Sequence, residues 1–322
     1  MNNIKNSKIT VIGGGGLIGS HLVDLLAREP VQEIIVFENF IRGCRENLQE
    51  SVQDSRVKIV EGDIQKTEDL RRVLVGQDYV FHLAASWLLE CVERPREAVF
   101  NNIIGTYNVM EACRDAGIKR VVYSSSASVY GNAVEIPMTE DHPFNNRTLY
   151  GATKIAGEQL FRAFYEMYKL NYVGLRYMNV YGPRQDYKGA YIAVIMKILD
   201  RIDAGQPPVI YGDGLQSYDF IYVEDAARAN ICALKSEAVD EFFNVGMGTK
   251  TTIKEITYLL LELTGSKLEP KYEPQGQTFV THRIGSTQKA REKLGFKAET
   301  NLRQGLKKLI EWRQTKLKSV SS

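Results

Sequence analysis

The chain predicts a doubly wound α/β protein: one large parallel sheet, with a smaller substrate-binding lobe toward the C-terminus. Three observations predict it. Strand-length apolar runs alternate with helix-length amphipathic stretches through the first 180 residues. The runs are rich in Val and Ile and nearly continuous in apolar character, as strands covered on both faces are. Four consecutive glycines, 13 to 16, follow the first run and precede the first helix pattern.

The elements follow in order. Ile9-Thr10-Val11-Ile12 is the first strand, and a helix pattern runs through His21 to Leu26. Residues 33–37 form a second strand ending at Glu38, and 57–60 a third, followed by Gly62-Asp63. A short helix covers 69–74, and the fourth strand is 79–83. A long helix is expected over 99–115, then a fifth strand over 120–123 that runs into Ser124-Ser125-Ser126. The sixth unit is a helix over 150–169 and a strand over 172–177. After Asn179 the rhythm changes, with turns at 181–186 and 211–214 and a break at Gln206-Pro207-Pro208. Helices are expected at 190–204, 223–234, 252–263 and 302–312, and a strand at 242–245. The division is therefore a core over residues 1–180 and a lobe over 181–322, some of whose segments return to the core.

Composition excludes several classes. The 322 residues carry 41 basic and 39 acidic side chains, a net charge of +2, which draws the protein toward neither nucleic acid nor an anionic membrane. The four cysteines show no metal or C-x-x-C spacing and read as buried, reduced thiols. The histidines show no metal spacing, and no metal is expected. No apolar run reaches membrane-spanning length and no leader pattern opens the sequence. A cytoplasmic protein is expected.

Gly13-x-x-Gly16-x-x-Gly19 is the first motif with chemistry. Gly13 permits the tight turn, Gly16 lets the main chain approach a pyrophosphate, and Gly19 lets the helix pack closely on its strand. The helix N-terminus then faces the phosphates. Alone, the pattern describes only a tight turn. With a strand before it, a helix after it and Glu38 ending the next strand, it describes a Rossmann-type dinucleotide site. The Glu38 carboxylate can accept both ribose hydroxyls of NAD, whereas a 2′-phosphate would meet like charge. NAD is therefore the expected cofactor. Asp63 can accept the adenine amino group, or it caps the next helix.

The second motif is Tyr150-x-x-x-Lys154, one helical turn apart and so on one face. A phenol is a poor base, and a neighbouring ammonium lowers its pKa. Ser126 ends a strand and can donate to the same substrate oxygen. The trio can take a proton from a C–OH group while hydride leaves its carbon. A Tyr-x-x-x-Lys by itself is common. Its position after a dinucleotide-binding half, 24 residues beyond Ser126, gives it meaning.

With these motifs the chain resembles the extended short-chain dehydrogenase/reductase family, in particular its NAD-dependent nucleotide-sugar epimerases and dehydratases. The resemblance also rests on Gly62-Asp63-Ile64, His82-Leu83-Ala84-Ala85, Ser124 to Gly131, Arg176 to Gln185 and Gly212-Asp213-Gly214. It implies that Leu17, Ile18, Asn39, Ile64, Leu83, Ala84, Ala85, Asn102, Ser124 and Met178 also touch NAD. It implies that Ser126, Tyr150 and Lys154 are catalytic. Ser128 would lie near the sugar, Asn179 near the diphosphate, and Ala190, Tyr191 and Val194 near the base. A homodimer built on the 99–115 and 150–169 helices is implied as well.

Two features refine the reaction. The family's 4,6-dehydratases carry adjacent Asp and Glu after the fifth strand, because eliminating water needs an extra acid and base. This chain has Ser126-Ala127-Ser128 there, which looks more like the 4-epimerases. Conversely, Tyr218 replaces an arginine that in the family grips the diphosphate, and the 273–277 stretch lacks a second one. Arg184 and Arg283 are the candidates to supply the missing charge, with Arg283 alternatively beside the sugar. The expected activity is 4-epimerisation of a nucleotide-diphosphate sugar, a UDP-sugar first. The alternatives are a dehydratase or another sugar-nucleotide-modifying member, and a non-catalytic NAD- or sugar-binding protein.

Overall fold

The computed structural model describes residues 3–185, 194–274 and 280–321. Six β-branched runs become β1 (Lys8–Ile12), β2 (Glu33–Glu38), β3 (Val57–Glu61), β4 (Tyr79–His82), β5 (Arg120–Ser126) and β6 (Tyr172–Tyr177). Shorter strands follow: β7 (Asn179–Tyr181), β8 (Val209–Tyr211), β9 (Ser217–Tyr218) and β10 (Phe220–Tyr222). The remaining strands are β11 (Glu241–Val245), β12 (Thr251–Thr252), β13 (Lys271–Glu273) and β14 (His282–Arg283). The main sheet runs β11-β6-β5-β4-β1-β2-β3 with every pair parallel. Chain order reverses between β1 and β4, which opens a crevice at the carboxyl ends of those strands.

The helices are α1 (Leu17–Leu26), α2 (Thr67–Leu74), α3 (Glu90–Glu93), α4 (Pro95–Val99), α5 (Thr106–Asp115) and α6 (Leu149–Tyr168). Then come α7 (Val194–Asp203), α8 (Val223–Lys235), α9 (Ile253–Thr264), α10 (Gln288–Leu294) and α11 (Leu302–Ser321). Strand alternation fills both faces of the sheet. Val11, Val36 and Val122 join Leu22, Leu26, Ala226 and Ala229 of α1 and α8. Their neighbours Ile12, Phe37 and Tyr123 join Leu70, Met110 and Phe161 of α2, α5 and α6 on the other face.

A separate core holds the lobe: Ile195 and Leu199 of α7, Phe220 and Tyr222, Leu260 of α9, and Leu306 and Ile310 of α11. β11 leaves the lobe to pair with β6, so a segment from beyond residue 181 completes the main sheet.

Two expectations change. The long helix over 99–115 is interrupted: α4 passes into a π-helical turn, Phe100–Gly105, before α5 begins. Gly105 packs so tightly on Ile64 that a Cβ there would meet its side chain at 2.6 Å, and helical periodicity says nothing of such an approach. Cys44 lies exposed rather than buried; Cys91 and Cys113 are buried and Cys232 is partly so.

Candidate active site

The glycine loop sits where β1 meets the rim. Gly13 has φ +85°, and a Cβ on it would lie 2.6 Å from the Ala84 nitrogen. The Leu83 and Ala84 amides both donate to the Ile12 carbonyl, bringing the end of β4 against the loop. A Cβ on Gly19 would lie 2.2 Å from the Gly13 carbonyl oxygen, so α1 can start this close to β1 only with glycine there. A Cβ on Gly16 would approach only the Gly13 oxygen, at 3.4 Å, leaving its face open. That cradle fits a pyrophosphate. Leu17 and Ile18 open α1 and pack toward the lobe core.

Glu38 is buried at the end of β2. Its Oε2 accepts from the Gly15 amide at 3.1 Å, and Oε1 accepts from Asn39 and Phe40 at 3.0 and 3.2 Å. Burial raises its pKa, and the same three amides pull it back. Asp63 caps no helix. Its Oδ1 accepts from the Gln65 amide at 2.9 Å, and the residue before α2 is Lys66. Ile64 is buried beside it.

Asn102 is buried in the π-helical turn. Its Oδ1 accepts from the Ser86 amide at 2.7 Å, and its Nδ2 donates to the Ser86 carbonyl and the Thr153 hydroxyl at 2.8 and 3.0 Å. It ties the segment after Ala85 to α6 next to Lys154. π-Turns recur at functional sites because the extra residue re-aims a side chain.

α6 presents Tyr150 and Lys154, the candidate reacting groups. Thr148 caps it, its hydroxyl accepting from the Gly151 amide at 3.1 Å. Lys154 is buried and donates to the Ser124 carbonyl at 2.7 Å. Burial lowers its pKa to about 8. Tyr150 hydrogen-bonds Ser126, whose Oγ lies 3.1 Å from the Ser128 hydroxyl. Burial raises the Tyr150 pKa and the Ser126 hydrogen bond opposes it, so in this geometry desolvation wins and the phenol holds its proton more tightly than the lowered pKa expected from the sequence. Arg42 and Arg283 also favour the phenolate, and Cys91 disfavours it. Met178 is buried against Gly246 and Gly285 at the same rim.

A buried network below fixes α6, and sequence reading did not single it out. The Arg176 guanidinium donates to both Glu158 oxygens at 2.9 and 2.7 Å and to the Tyr130 hydroxyl at 2.8 Å. Ser125 donates to Glu158 from β5. Glu158 lies one turn beyond Lys154, a spacing that gave the only clue in the sequence. His82 is fully buried with a pKa near 3, its Nε2 3.0 Å from the Thr106 hydroxyl, which makes it a neutral core residue.

On the lobe side a cavity of about 540 Å³ is lined by Asn179, Val194, Tyr218 and Phe220, with Tyr211 and Gln216 from the β8–β9 region. Lys197 and Arg201 of α7 also line it, and neither was anticipated, although their i, i+4 spacing puts both on one face. The acid between them, Asp200, pairs with Arg313 at 2.5 Å. Asn179 Nδ2 donates to the Asp219 carbonyl at 3.1 Å, and the Tyr218 hydroxyl donates to the Val280 carbonyl at 2.9 Å. Ala190 and Tyr191 lie outside the described residues.

The two candidate arginines part company. Arg184, with φ +65°, forms an ion pair with Asp24 of α1 at 2.7 Å, so its charge is met within the protein. Arg283 on β14 faces Tyr218 across the β9 pairing. Its Nε is buried without a hydrogen-bond partner.

Comparison with known proteins agrees with this geometry. The profile of the NAD dependent epimerase/dehydratase family matches residues 9–246. The UDP-glucose 4-epimerase of Mycolicibacterium smegmatis is 32% identical over 310 residues, covering 95% of this chain and 98% of that protein. The solved UDP-N-acetylglucosamine 4-epimerase of Methanobrevibacter ruminantium, in complex with UDP-N-acetylmuramic acid, superposes with a TM-score of 0.91. It is 35% identical and covers 97% of this chain and 99% of its own. The UDP-glucose 4-epimerase of Thermotoga maritima with UDP-glucose gives a TM-score of 0.90 at 36% identity, covering 96% of this chain and 99% of its own.

Proposed function

The chain belongs to the NAD dependent epimerase/dehydratase family and is an NAD-dependent enzyme, and from that premise we propose that it is a nucleotide-sugar 4-epimerase acting on a UDP-sugar. It would oxidise C4 to a transient ketone and reduce it again from the opposite face. One observation carries this reading. Where β5 ends, the residues that follow its rim are Ser126, Ala127 and Ser128, with the two serine hydroxyls 3.1 Å apart and no carboxylate among them. Eliminating water across C5 and C6 needs a further acid and base there, and the chain offers Ser126-Ala127-Ser128 instead of paired carboxylates.

Gly13, Gly16, Leu17, Ile18 and Gly19 would hold the pyrophosphate of NAD, with Glu38 and Asn39 at the adenine ribose and Asp63 and Ile64 at the adenine. Leu83, Ala84, Ala85, Ser124 and Met178 would line the nicotinamide half. Asn102 would act by holding that wall rather than by direct contact, since its side chain is already engaged. NAD, when bound, supplies the hydride acceptor. Tyr150 takes the C4 hydroxyl proton and later returns it. Ser126 orients the oxygen, with Ser128 behind it. The Lys154 ammonium favours the phenolate and anchors the nicotinamide ribose.

The lobe cavity would take the base and diphosphate. Tyr211 and Phe220 offer apolar faces, Gln216 and Asn179 polar groups, and Lys197 and Arg201 compensating charge. Ala190, Tyr191 and Val194 stay assigned to the base. Exposed Phe100, Ile104 and Tyr107, with Leu149, Met167 and Tyr168 of α6, form the surface for a homodimer. No described helix is long and apolar enough to cross a membrane, and we place the enzyme in the cytoplasm. The test is product analysis by NMR on a panel of nucleotide sugars. Inverted C4 at unchanged mass is expected; loss of water would select a dehydratase.

A further inference from the structure

Among the described residues Arg283 is a cation without a counterion. Among the described residues its side chain forms no ion pair or hydrogen bond, and its Nε is buried without a partner. Arg283 is partly buried, and desolvating a guanidinium without an acceptor is costly, so the position suits an acceptor brought by a ligand. Its place along β14 says which part of a substrate would bring one. At its own register it faces Tyr218, which lines the lobe cavity. Two residues on, Gly285 packs against Met178 at the catalytic rim, where a Cβ would lie 2.1 Å from the methionine side chain. Arg283 therefore stands between the cavity and the reacting centre, and its charge acts on both the Tyr150 and Tyr218 phenols.

Two other cations, Lys197 and Arg201, line the lobe cavity where the diphosphate would sit. Arg42 stacks on Trp87 with its guanidinium 4.0 Å from the ring centre, and its charge also reaches the Tyr150 phenol. The reacting centre is thus bordered by two guanidiniums. A neutral hexose would leave the Arg283 charge uncompensated. A hexuronate would not: its C6 carboxylate is attached at C5, next to the C4 that Tyr150 attends, and a planar guanidinium matches a carboxylate in shape and charge.

We propose that Arg283 selects a nucleotide sugar whose hexose carries a carboxylate beside the reacting carbon. The proposal rests on the 4-epimerase reading of the site. The experiment is calorimetry on the NAD-loaded full chain with three probes: UDP-glucuronate, UDP-glucose and UDP. Wild type is expected to bind the uronate at least about 10-fold more tightly than the neutral sugar. Arg283→Gln should bring the two within about 3-fold while leaving UDP affinity unchanged. Arg283→Lys, which keeps the charge, should retain part of the preference. Equal or weaker binding of the uronate by wild type would overturn the proposal. So would an Arg283→Gln variant that loses affinity for UDP and both sugars alike, which would assign the residue to the diphosphate. Binding preference is read without turnover, so its failure is distinct from a failure of the epimerase reading, which C4 stereochemistry reports.

Discussion

The Lys154 ammonium donates to the Ser124 carbonyl at 2.7 Å, while the same nitrogen stands 5.8 Å from the centre of the Tyr150 ring. The lysine is thus held by the strand end, within one helical turn of the phenol. Ser124 lies two residues before Ser126 on β5, so one strand end places both the lysine and the hydroxyl that contacts Tyr150.

That division of labour has a kinetic consequence. Tyr150→Phe keeps the shape and removes the proton carrier. It should keep NAD and slow single-turnover hydride transfer by about 10²–10⁴-fold. Lys154→Met should damage both transfer and NAD retention. Ser126→Ala should cost less than Tyr150→Phe, because it removes orientation and leaves the base. Near-normal transfer in Tyr150→Phe would contradict the assignment.

Lys154 also links stability to pH. Its folded pKa of about 8 lies below the ordinary lysine value of 10.5, so the unfolded chain holds the proton more tightly between those values. The folded state therefore carries a penalty that is full below about pH 8 and fades as pH rises toward 10.5. Lys154→Met removes it. The variant should be more stable than wild type near pH 7 by up to on the order of 2–3 kcal/mol, less about 1 kcal/mol for the Ser124 carbonyl left without its donor. The advantage should shrink at higher pH. Melting temperatures of both proteins from pH 7 to pH 10 check this; a constant difference would refute it.

Glu38 serves two structures at once. Its carboxylate accepts three loop amides, and in the proposed site it would also accept the adenine ribose hydroxyls. Glu38→Ala should weaken NAD binding by about 1–3 kcal/mol and lower the melting temperature as well. Titration calorimetry on stripped protein measures the first. Equal or tighter binding of NADP by the unaltered protein would overturn the cofactor assignment to this residue.

Much of this was legible in the sequence because it is local. Four strands of the main sheet, β1, β2, β3 and β5, are rich in Val and Ile, and the rim residue lies at or just past each: Gly13, Glu38, Asp63, Ser126. The π-helical turn at 100–105 was hidden because it depends on Gly105 meeting Ile64 across the fold. The three-stranded sheet of β12, β9 and β14 was hidden because its strands are two residues long and far apart in the chain. As sequence, Arg184 and Arg283 were both candidates for the diphosphate, with Arg283 alternatively beside the sugar. The Asp24 carboxylate beside Arg184 and the unpartnered Nε of Arg283 are what separate them, and neither is written in the local sequence.

The apolar surface on the π-helical turn, α5 and α6 predicts association. Phe100 is 50% and Ile104 45% exposed, and two large apolar side chains one turn apart at those values form a patch that a partner would cover. Light scattering at micromolar protein should give a dimer mass. Phe100→Glu combined with Ile104→Glu should give a monomer that still binds NAD. A monomeric mass for the unaltered protein would reject the dimer.

In the proposed reaction C4 is oxidised and reduced again within one turnover, with no chemistry at C5 or C6. A nucleotide sugar deuterated at C4, converted by the NAD-loaded protein and read by NMR and mass spectrometry, tests this directly. The expected product is C4-inverted and of unchanged mass, with deuterium still on C4 and no reduced cofactor released. Deuterium found at C6 with loss of water, or released NADH in step with product, would contradict it.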